Sequence, residues 1–117
     1  GIVSDENFMK CMEIFSETLE ELEVHKELES MEFFKLMFKM EKLRALTLAT
    51  NFITLKTFID CIEAAKKSFH FGIRELTLVT RSQYGIEQPI NFIIEKLRNL
   101  ESLKVREFLK VYKNIFL

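Results

Sequence analysis

Residues 43–51 read LRALTLATN: leucine at Leu43, Leu46 and Leu48, small or polar residues between them, and Asn51 at the end. Alternation with period two places Leu46 and Leu48 on one face of a strand and Ala45, Thr47 and Ala49 on the other. Three other segments repeat the spacing. Leu19, Leu22 and Val24 match Leu43, Leu46 and Leu48, as do Ile73, Leu76 and Leu78, then Leu100, Leu103 and Val105. The four starts lie 24, 30 and 27 residues apart, within the period range of repeat architectures.

Between these strands the apolar residues fall at helical intervals. Ser4 is a candidate N-cap before Asp5 and Glu6, and Phe8, Cys11, Met12 and Phe15 follow at i, i+3, i+4 and i+7. Ser30 is a candidate cap for a second helix with Phe33, Leu36, Met37 and Met40 inward. Leu55, Phe58, Ile59, Ile62, Ala65 and Phe69 make the longest stripe, which Gly72 is expected to end. TRSQYGIEQ is a polar connection, and Pro89 suits the first turn of a helix carrying Ile90, Ile93, Ile94 and Leu97. The tail has Phe108, Leu109, Tyr112, Ile115 and Phe116 at helical spacing and is expected to be a capping helix. The predicted order is helix then strand, four times, then a final helix.

Length and composition fit one domain over residues 1–117. Gly1 follows no methionine, so a piece of a longer protein is expected. Forty-eight per cent apolar and 30% charged residues match a globular chain, while three glycines and one proline disfavour disorder and loop-rich all-β folds. Net charge is −1, but residues 1–59 carry 7 basic and 11 acidic side chains and residues 60–117 carry 10 and 7. The front is therefore acidic and the back mildly basic. Cys11 and Cys61 sit inside apolar helical patterns and are expected to be buried, reduced thiols of an intracellular protein, cytoplasmic or nuclear. With His25 and His70 they form no zinc-ligand spacing, so no metal is expected. No apolar run is long enough to span a membrane, and no signal peptide opens the chain.

The four L-x-x-L-x-L segments, and LRALTLATN as a full L-x-x-L-x-L-x-x-N, resemble leucine-rich repeats. Repeats of this length, each with its own helix, resemble the ribonuclease-inhibitor-like subclass and the repeats of F-box proteins. At the asparagine step the other copies have Glu27, Arg81 and Phe108, so their turns are expected to depart from the family pattern. The resemblance implies a short α/β solenoid with a parallel sheet, covered at its end by the C-terminal helix. The competing reading is a compact, doubly wound α/β domain.

The resemblance also implies partner binding on the concave sheet. Its outward residues are Glu21, Glu23 and His25, then Ala45, Thr47 and Ala49, then Glu75, Thr77 and Val79, and finally Ser102, Lys104 and Arg106. That stripe runs from acidic, through small and neutral, to basic. Catalysis is not expected: there is no G-x-S-x-G, no phosphate-cradling glycine loop and no H-E-x-x-H. Nor is there a cofactor motif. The expected function is a non-enzymatic protein–protein interaction module or scaffold layer, binding through the concave sheet or the C-terminal end, with self-association through the tail as a further route. Alternatives are the substrate-recognition part of an F-box ubiquitin-ligase subunit and an RNA-binding domain. The latter would use Lys96, Arg98, Lys104, Arg106, Lys110 and Lys113, against an overall charge that disfavours nucleic acid.

Overall fold

The computed structural model describes residues 5–65, 71–81, 85–107 and 110–116. In chain order the elements are α1 (Asp5–Phe15), β1 (Glu21–Val24), α2 (Met31–Phe38), β2 (Ala45–Thr50), α3 (Phe52–Ala65), β3 (Glu75–Thr80), α4 (Glu87–Lys96), β4 (Ser102–Glu107) and β5 (Lys110–Phe116). The fold is α/β. Strands β1 to β4 are parallel and β5 is antiparallel, in the spatial order β1-β2-β3-β4-β5.

Pairing has no offset between the matched segments. Leu22 pairs with Leu46, Leu46 with Leu76, and Leu76 with Leu103; Val24, Leu48, Leu78 and Val105 form the next row. The ladder reaches back one residue at each entry. Arg44 and Ala45 N–H donate to the Glu20 carbonyl, Arg74 and Glu75 to that of Arg44, and Glu101 and Ser102 to that of Arg74. A one-residue slip would turn every inward leucine to water, which is why the register follows the side chains.

Among the described residues, helices cover one face of the sheet. Leu46, Leu48, Leu76, Leu78, Leu103 and Val105 are buried, while the alternate residues remain partly or fully exposed. A doubly wound domain would bury both faces and reverse its strand order. This sheet does neither. The helix layer is joined by aromatic rings: Phe8 against Phe33 at 5.8 Å, Phe33 against Phe34 at 5.3 Å, Phe34 against Phe58 at 5.2 Å, and Phe38 against both Phe58 and Phe71. Tilted and edge-on contacts of this kind add to area burial, and they tie α1 to α2, α2 to α3, and α2 to the segment entering β3.

The tail differs from expectation. Residues 110–116 form strand β5, not a capping helix, and pair antiparallel with β4 from Ser102–Phe116 to Glu107–Lys110, with a register shift at Val105/Arg106. Val111, Tyr112, Ile115 and Phe116 satisfy a strand as well as a helix, and β4 would otherwise leave its backbone groups unpaired. A short antiparallel return requires no crossover helix. Ser4, Phe69 and Phe108 lie outside the described residues. Ser30 precedes α2 without a side-chain capping bond. The last helix starts at Glu87, two residues before Pro89, after Gly85 at φ 77°.

Cys11 is also corrected: it is exposed, because α1 turns Phe8 and Met12 inward and leaves Cys11, Ile14 and Phe15 outside. The expectation treated four apolar positions as one stripe; the packed face is narrower. Cys61 is buried, and its thiol donates weakly to the Met31 carbonyl at 3.9 Å. Burial pushes its pKa up, partly opposed by Lys35.

Two outcomes follow from this packing. Ellman's reagent should modify Cys11 rapidly in the native protein and reach Cys61 only on unfolding, since the Cys61 thiol is both shielded and poorly ionised. Phe34→Ala, at a side chain 0% exposed, should cost about 3–5 kcal/mol in urea denaturation.

Candidate interaction surface

The open face of the sheet is built from the residues that alternate with the buried leucines. Cα pairing sets them in rows: Glu21, Ala45, Glu75 and Ser102; then Glu23, Thr47, Thr77 and Lys104; then Ala49, Val79 and Arg106. All eleven predicted positions therefore share one surface, and none is buried. His25 follows β1 and is exposed, with Nε2 3.3 Å from the Glu23 carboxylate. The β1 column is acidic, the β2 and β3 columns are mostly small and neutral, and the β4 column ends in Lys104 and Arg106. At the base of the face Arg44 forms a 2.6 Å ion pair with Glu21. Both side chains are more than half exposed, so the pair contributes little to stability.

The strand C-terminal ends carry a second arrangement. Asn51 separates β2 from α3 by a single residue and caps the helix: its Oδ1 accepts from the Thr54 N–H at 2.8 Å and the Thr54 hydroxyl at 3.1 Å. Its Nδ2 donates to Glu27 Oε2 at 2.9 Å, and Glu27 Oε1 meets Arg81 Nε at 3.5 Å. Glu27, Asn51 and Arg81 are the residues that occupy the asparagine step in successive segments. The turns at Glu27 and Arg81 do depart from the one at Asn51. Six residues join β1 to α2 and β3 to α4, so neither residue abuts a helix as Asn51 does.

Beside this bridge His25, Lys26, Glu27, Ala49, Val79 and Arg81 line an open depression of ≈ 410 Å³. Ala49 and Val79 were expected on the open face. The contributions of Lys26, Glu27 and Arg81 were not, although Glu27 and Arg81 stand at the repeat's asparagine step, the one signal that could have found them. Phe52 and Ile53, at the start of α3, are also missed surface residues, 62% and 54% exposed. They follow a strand in which every other residue points outward, so periodicity did not anticipate them.

Among the described residues no group of three or more His, Cys, Asp or Glu side chains is placed to hold a metal ion. Nor is any described helix long and apolar enough to cross a membrane. Comparison with protein-family models, curated proteins and solved structures found no match.

Asn51→Ala removes the cap and one partner of Glu27, and should lower stability by about 1–2 kcal/mol in urea denaturation. Asn51→Asp keeps the capping oxygen but sets a carboxylate against Glu27. It too should be destabilised in urea denaturation, because the Nδ2 donor to Glu27 is lost and two like charges face each other.

Proposed function

We propose that this chain is a leucine-rich-repeat-type interaction module that binds a partner protein across the open face of its sheet and carries out no chemistry of its own. The observation that supports this most directly is the zero-offset alignment of four strands under a single helix layer. It leaves one ordered array of outward side chains that no described helix covers. The middle of that array, Ala45, Thr47, Ala49, Thr77 and Val79, is small and only partly exposed, so a partner can approach the sheet closely. Its charged flanks, Glu23 on β1 and Lys104 on β4, would orient the partner more than they would add affinity. Two unpaired thiols, one exposed, suit a reducing compartment, and we place the module inside the cell.

The test is affinity capture from native lysate with the wild type and with a Thr47→Arg/Thr77→Arg double variant. Both substitutions are on the open face and should change stability by less than about 0.5 kcal/mol each. Circular dichroism and the urea midpoint check this. A protein retained by the wild type and lost with the folded double variant supports the reading. An identical set of captured proteins removes the open face as the site.

A further inference from the structure

The depression at the ends of β1, β2 and β3 has a composition that selects a particular chemical group. Ala49 and Val79 are Cα partners on adjacent strands, and their side chains offer no hydrogen bonds to an occupant. Around them stand two permanent cations, Lys26 and Arg81, and one anion, Glu27. Glu27 is only 28% exposed, and its two oxygens are engaged by Asn51 and Arg81. Its charge is thus directed into the protein's own bridge. Arg81, whose Nε lies 3.5 Å from Glu27 Oε1, is 78% exposed. Arg106 continues the same row as the Cα partner of Val79 and adds positive charge nearby.

We infer that this depression receives a carboxylate borne on a short apolar group of the partner polypeptide, so that it anchors the partner on the open face. The inference rests on the interaction reading above. A guanidinium presents N–H donors in a planar fork that matches a carboxylate. The ≈ 410 Å³ volume lies at the small end of the range for ligand sites and is open on one side, which fits a side chain or chain terminus in preference to a whole enclosed molecule. The apolar floor takes the stem, while the Arg81 guanidinium takes the charge. Both an acidic side chain and a C-terminal carboxylate carry this chemistry.

The test is a ¹⁵N-resolved NMR titration of the full chain with three probes: N-acetyl-valine, its amide, and N-acetyl-aspartate N-methylamide. Saturable shifts at His25, Ala49, Val79 and the Arg81 Nε–H are expected with at least one acid, and none with the amide. Response to N-acetyl-valine identifies a chain terminus as the source, and response to the aspartate probe an acidic side chain. Arg81→Gln should raise Kd for the active probe roughly tenfold. Glu27→Gln should lower it, because a neutral amide still accepts from Asn51 while removing a like charge. These opposite signs separate a binding role from general loosening of the loop. The proposal is overturned if neither acid shifts these resonances, if acid and amide act alike, or if both variants weaken binding. Loss of the open face as a capture surface, with the carboxylate response intact, would refute the interaction reading while leaving the pocket's chemistry standing.

Discussion

The structure depends on one constraint: each parallel strand must pair with its neighbour so that its two inward aliphatic side chains fall beside those of the adjacent strand. Leu22, Leu46, Leu76 and Leu103 form one row, and Val24, Leu48, Leu78 and Val105 the next. The rows are nearly dry, with exposures of 0–4% from Val24 through β2, β3 and β4. Hydrophobic burial selects the register because the side-chain period of a strand is two, and a slip of one residue exposes the whole set. With the register fixed, the outward residues must also fall in rows. The candidate surface is thus a geometric by-product of the core.

The helix layer solves a different problem. Four short helices cannot be stable individually, and most of their stability has to come from burying one face. Here phenylalanine does much of that work. The rings from Phe8 to Phe71 form a connected series crossing α1, α2 and α3, so one helix cannot move without disturbing the next. Where a helix follows its strand after a single residue, at Asn51, the capping side chain also bonds to the preceding segment through Glu27. Capping and lateral connection are supplied by the same amide.

That double use links fold to surface. The Glu27–Asn51–Arg81 bridge links the strand ends and sets an arginine beside an apolar patch. Arg81 stays 78% exposed beside Glu27, so its guanidinium remains open to a ligand. The open sheet provides area, and the bridge provides a point of attachment.

Most of the architecture was legible in the chain because it rests on periodicity. The spacings of Leu22/Val24, Leu46/Leu48, Leu76/Leu78 and Leu103/Val105 marked four strands, their parallel neighbours and the outward positions from Glu21 to Arg106. The tail was not legible: Val111, Tyr112, Ile115 and Phe116 fall at helical intervals, although β-branched and aromatic residues suit a strand, and pairing along β4 goes with the strand. The exposure of Cys11 was hidden for a related reason, since four apolar positions in α1 leave open which of them find a neighbour. The Glu27–Asn51–Arg81 bridge spans three segments far apart in sequence. Local pattern can place each residue at its turn, but it takes the stacked strands to bring a carboxylate, an amide and a guanidinium within bonding distance. Residue order fixed the faces, because strand and helix periods are properties of the backbone; the partners across those faces were settled by packing, which is non-local.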